Sequence, residues 1–156
     1  MLKYVNHDIV FQEFPDEVTL AINLSLCPHG CPGCHSSYLQ KDVGEVLTAE
    51  RLIALIGEYD GLITCVGLMG GDNDVEAVAH MATVIHSQAG LRVGWYSGRT
   101  DMPSHIPPST FDYVKLGPYR EQRGPLNAST TNQRLYRVNR SDGMMIDITA
   151  RFQKGG

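Results

Sequence analysis

A chain of 156 residues with 13 Lys and Arg against 17 Asp and Glu carries a formal charge of -4 with its histidines neutral, and 42% of its residues are apolar. Those figures describe one soluble globular domain spanning residues 1–156 and exclude a closed (β/α)8 barrel, which takes roughly 200 residues or more. Mild acidity without a run of Lys or Arg leaves no electrostatic footprint for nucleic acid or an anionic membrane, and no stretch approaches the ~18 apolar residues of a membrane span.

The N-terminus, MLKYVNHDIVFQEF, lacks the basic start, apolar centre and small-residue cleavage site of a secretory signal, so a cytoplasmic protein is expected. Residues 18–26, VTLAINLSL, put Val18, Leu20, Ile22, Leu24 and Leu26 on one face at period two, which predicts a strand running straight into Cys27. Thr48 then caps a helix whose apolar face is Leu52, Ile53, Leu55, Ile56 and Tyr59, ending near Gly61. Residues 62–69, LITCVGLM, are nearly all apolar, as in a strand buried on both faces, and Gly70-Gly71-Asp72 closes it. Asn73 or Asp74 caps a second helix through Val75, Val78, Ala79, Ala82 and Ile85, with Gly90 as its stop.

Residues 91–97, LRVGWYS, read as a third strand and residues 111–116 as a fourth, with Pro103, Pro107 and Pro108 breaking the chain between them. From Gly117 to Arg134 the chain is polar and irregular, and residues 135–138 and 144–148 read as a terminal hairpin or two edge strands. Alternation of strand and helix predicts an α/β fold on a parallel sheet. Ligands of such sheets sit beyond the C-terminal strand ends, where the cysteine loop, Gly70-Gly71-Asp72 and Ser97-Gly98 all fall.

Cys27-Pro28-His29-Gly30-Cys31-Pro32-Gly33-Cys34 is a C-x3-C-x2-C arrangement. Three thiolates on one loop can hold three corners of an iron-sulfur cubane, with glycines letting the backbone fold around it, and one iron stays open to chelate an amine and a carboxylate. A zinc site of the three cysteines with His29 or His35 is the alternative, although structural zinc usually draws its ligands from two separated pairs. Cys65, inside an apolar strand, reads as an inert core thiol.

C-x3-C-x2-C after a first strand, followed by Gly70-Gly71-Asp72 at the end of the next, resembles the radical S-adenosylmethionine enzymes. The resemblance implies a 4Fe-4S cluster on Cys27, Cys31 and Cys34, and S-adenosyl-L-methionine contacts from Gly70, Gly71 and Asp72, with His35 beside the cluster or its ligand. Trp95-Tyr96-Ser97-Gly98, then Gly117-Pro118-Tyr119, then Ser129 followed by Asn132-Gln133-Arg134 are similar to the anaerobic ribonucleoside-triphosphate reductase activating proteins. Departures from that pattern are Gly33 for an aromatic residue, Asp72 for Glu and Thr130 for Ser.

By the same resemblance Ser97 meets the ribose or methionyl group, Lys115 meets a carboxylate or a partner, and Asn132, Gln133 and Arg134 order the long loop or touch the partner. The implied fold is a partial (open) β/α barrel with a mostly parallel sheet. The implied activity is generation of a glycyl radical on anaerobic ribonucleoside-triphosphate reductase, with electrons from a low-potential donor such as flavodoxin or ferredoxin. Its rivals are an activase of another glycyl-radical enzyme and a non-catalytic zinc or iron-sulfur module.

Overall fold

The computed structural model describes residues 2–11, 14–25, 44–88, 90–117 and 133–149. Its elements in chain order are β1 (Lys3–Val10), β2 (Thr19–Leu24), β3 (Glu45–Val46), α1 (Ala49–Glu58), β4 (Cys65–Met69), α2 (Val75–His86) and β5 (Arg92–Tyr96). A 3-10 turn at Pro108–Thr110 precedes β6 (Tyr113–Leu116), β7 (Arg134–Asn139) and β8 (Met144–Asp147). All eight strands form one sheet in the order β3-β1-β2-β4-β5-β6-β7-β8.

The capping residues act as their chemistry dictates. The Thr48 hydroxyl accepts from the Arg51 N–H at 3.1 Å and the Asp74 carboxylate accepts from the Ala77 N–H at 3.2 Å, which fixes the starts of α1 and α2. No helix among the described residues is long and apolar enough to cross a membrane.

The expected partial β/α barrel with a mostly parallel sheet is not what forms. Only β2-β4, β4-β5 and β5-β6 pair in parallel, whereas β1-β2, β1-β3, β6-β7 and β7-β8 are antiparallel, so the sheet is mixed. Two α-helices serve eight strands among the described residues, where a β/α barrel sets a helix after each strand. Between β5 and β6 the prolines leave a single 3-10 turn in place of a crossover helix. β1 escapes periodicity because a bulge between Tyr4 and Asn6 breaks its register, moving the core-facing positions from Tyr4 to His7 and Ile9.

One face of the sheet carries both helices. Leu20, Ile22, Leu24, Val66, Leu68, Val93, Trp95 and Val114 pack there against Leu52, Leu55, Val78, Ala82 and Ile85. The opposite face is covered by a smaller cluster of Phe14, Cys65, Tyr113 and Leu135, with Met69, Tyr96 and Ile148 against it. Phe14 comes from the β1–β2 connection and is fully buried. Glu17 anchors that connection, since its buried carboxylate accepts from the Thr64 hydroxyl at 2.6 Å, the Tyr113 hydroxyl at 2.9 Å and Arg92 Nη1 at 3.3 Å. Burial, and then the Glu17 charge, pushes the Cys65 thiol and the Tyr113 hydroxyl well above their ordinary ranges, so both stay protonated.

Removing that acceptor leaves the buried Tyr113 hydroxyl without its partner, whereas Thr64 and Arg92 are exposed and can turn to water. Glu17→Ala is expected to lose about 1–3 kcal/mol of unfolding free energy in urea titrations. A loss under about 0.5 kcal/mol contradicts the anchoring role.

Candidate functional site

Three successive parallel pairings bring the C-terminal ends of β2, β4, β5 and β6 to one edge of the sheet. The segment after Ser25 leaves β2 at that edge; Cys27, Cys31, Cys34 and His35 lie outside the described residues, as does Asn132. Gly70, Gly71, Asp72, Ser97 and Lys115 lie within them.

Gly70-Gly71-Asp72 and Ser97-Gly98-Arg99 form one hydrogen-bonded clasp. The Asp72 carboxylate accepts from Ser97 Oγ at 2.6 Å through one oxygen and from the Gly98 N–H at 2.8 Å through the other. Ser97 Oγ in turn accepts from the Arg99 N–H at 3.0 Å. The Gly70 N–H donates to the Tyr96 carbonyl at 2.9 Å, and the Trp95 indole N–H reaches the Gly70 carbonyl at 2.7 Å. On the far side the Ser97 N–H donates to the Lys115 carbonyl at 2.9 Å and the Gly117 N–H to the Arg99 carbonyl at 2.6 Å. The ends of β4, β5 and β6 are therefore laced together.

This geometry gives Asp72 and Ser97 a holding role. Ser97 is fully buried and its hydroxyl proton goes to Asp72, so the pair ties the ends of β4 and β5 together. The short Asp72 side chain reaches the chain just beyond the neighbouring strand β5. The two glycines have packing reasons of their own. Both adopt positive φ, +110° at Gly70 and +89° at Gly71. A Cβ on Gly71 would stand 2.5 Å from Val78 Cγ2 and 3.0 Å from Leu24 Cδ1, and one on Gly70 would stand 3.3 Å from the Leu24 carbonyl oxygen.

Lys115 belongs to a second feature, on the face without helices. Register aligns Asn23, Met69, Tyr96 and Lys115 in one row across the four parallel strands. The Lys115 ammonium lies 4.9 Å from the Tyr96 ring centroid, a cation–π contact. Asn23 Nδ2 donates to Asn6 Oδ1 at 2.6 Å. Sequence reasoning did not single out Asn23, Met69, Tyr96 or Phe14 as site residues. The available signal was Asn23, a polar residue amid the apolar alternation of β2.

Gln133 is buried and its side-chain amide donates to the Gly117 carbonyl at 3.4 Å, while Arg134 Nη1 lies 3.8 Å from an Asp147 carboxylate oxygen. Both contacts are within the fold and favour the ordering role over the partner-binding one.

The donor set on the loop fits a cubane: three thiolates close in sequence, with Gly30 and Gly33 between them. At the root of that loop Ser25 Oγ is buried, 2% exposed for the residue, without a hydrogen-bond partner, so a polar group is held ready where the cysteine segment begins. Among the described residues no group of three or more His, Cys, Asp or Glu could hold a metal ion. Comparisons with protein-family models, with curated proteins and with solved structures return no match.

The packing reason for Gly71 is separable from the backbone reason. Gly61 also has positive φ, +79°, but open space where its Cβ would stand. Gly61→Ala is expected to cost about 1 kcal/mol, from conformation alone, and Gly71→Ala at least about 2 kcal/mol, from conformation and overlap together. Equal losses in thermal melts of the two variants contradict the packing account.

Proposed function

We propose that this protein is a radical S-adenosylmethionine activating enzyme whose protein substrate is the glycyl-radical subunit of an anaerobic ribonucleoside-triphosphate reductase. The observation that carries the reading is the C-x3-C-x2-C segment following β2 at the edge where the Asp72–Ser97 clasp joins the neighbouring strands. The reading does not depend on a barrel: a ligand beyond the ends of parallel strands needs only those strands, and β2, β4, β5 and β6 supply four.

Cys27, Cys31 and Cys34 would hold a 4Fe-4S cluster, leaving one iron to take the amine and carboxylate of S-adenosyl-L-methionine. The chemistry supplied is one-electron cleavage of the sulfonium C–S bond, giving methionine and a carbon radical that takes a hydrogen atom from a backbone glycine to leave 5'-deoxyadenosine and a glycyl radical. The electron comes from a low-potential donor such as flavodoxin or ferredoxin.

This chain's residues bind and orient. Asp72 and Ser97 hold the ends of β4 and β5 so that the edge presents fixed backbone groups. His35 is assigned beside the cluster and Lys115 to an anionic group of ligand or partner. Cys65 takes no part, because burial keeps its thiol protonated and the strand keeps it on the far side of Gly67 from the edge.

Anaerobic mixing with the reductase, a reductant and S-adenosyl-L-methionine is expected to yield 5'-deoxyadenosine and a glycyl doublet in electron paramagnetic resonance. Alanine at Cys27, Cys31 or Cys34 is expected to abolish both, and Cys65→Ala to keep both. Deoxyadenosine formed equally fast with and without the reductase, and no protein radical, overturns the activase reading in favour of a small-molecule radical enzyme.

A further inference from the structure

Two glycines, Gly67 on β4 and Gly94 on β5, stand side by side in the parallel register and open a notch in the face without helices. Phe14 fills it. A Cβ on Gly94 would stand 2.1 Å from Phe14 Cζ, and one on Gly67 would stand 3.1 Å from Phe14 Cε2. The same ring stacks on Tyr113 at 5.1 Å between centroids and meets Tyr96 edge-on at 5.2 Å. Tyr96 in turn carries the Lys115 ammonium at 4.9 Å. Two residues further along each strand, on the same face, lies the row of Asn23, Met69, Tyr96 and Lys115, toward the edge that bears the clasp.

We infer that Phe14 is a positioning residue for the ligand: it forms the floor beneath this row, and through Tyr96 it fixes the height at which the Lys115 ammonium meets the carboxylate-bearing cofactor. The inference rests on the proposed function. It assigns the β1–β2 connection to the site, although that connection and the cysteine segment flank opposite ends of β2. Ring size is the quantity that matters. Phe14 is fully buried, so it contributes no surface of its own to a ligand and acts only through the position of Tyr96. Glu17, three residues on, keeps the floor in place by its three hydrogen bonds to Thr64, Tyr113 and Arg92.

The test measures S-adenosyl-L-methionine affinity by equilibrium dialysis of the anaerobically cluster-loaded protein, alongside its melting temperature, for four forms: wild type, Phe14→Leu, Gly94→Ala and the double variant. Phe14→Leu lowers the floor and is expected to weaken binding roughly tenfold, the scale of losing one well-placed cation contact. Gly94→Ala alone overlaps the ring and is expected to weaken both stability and binding. In the double variant the added methyl occupies the space the ring gave up, so affinity is expected to return to within about threefold of wild type. A purely structural role moves melting temperature without moving affinity, and that pattern overturns the inference while leaving the proposed function standing. A wild-type protein that loads a cluster but does not bind S-adenosyl-L-methionine overturns both.

Discussion

The parallel register of β2, β4, β5 and β6 is the constraint on which the site depends. Pairing Asn23 with Met69, Met69 with Tyr96 and Tyr96 with Lys115 sets four strand ends level, and a level edge lets a carboxylate on one strand reach the backbone of the next. Asp72 does this, bridging from the end of β4 to Ser97 and Gly98 beyond β5. A slip of one residue in β5 would turn Trp95 from the helix side to the other face and withdraw its indole N–H from the Gly70 carbonyl.

The sheet's two faces divide the work. Most of the apolar burial lies on the helix side, where Trp95 stacks on Phe111 at 5.2 Å and the leucines of β2 and β4 meet α1 and α2. The other face has the smaller cluster and the polar anchor at Glu17, and toward the edge it gives way to Asn23, Tyr96 and Lys115. Antiparallel strands on either flank extend the sheet: β1 and β3 beside β2, and β7 and β8 beside β6. The central four strands thus gain edge protection from antiparallel neighbours on both sides.

Local chemistry made much of this legible. Thr48 and Asp74 cap α1 and α2 because a short side-chain oxygen before an apolar periodic run satisfies the first free N–H groups, and that logic needs no tertiary information. The apolar run ending at Met69 marked β4 for the same kind of reason. What stayed hidden was non-local. The bulge in β1 breaks the alternation that identifies a strand, the two-residue β3 offers too few positions to show a period, and strand direction is decided by pairing rather than composition. In the site, the grouping of Gly70-Gly71-Asp72 with Ser97 followed from strand-end positions. Phe14 could not be found that way, because its role arises from two glycines about 53 and 80 positions away that only the sheet brings beneath it.

The account stands on whether the cysteine segment that follows β2 in sequence holds an iron-sulfur cluster. Iron, zinc and acid-labile sulfide, measured together on the anaerobically reconstituted full chain, address that directly. The account predicts about four irons and four sulfides per chain and a brown protein. One zinc per chain with no sulfide, in a colourless protein, contradicts it and leaves a structural metal module in its place.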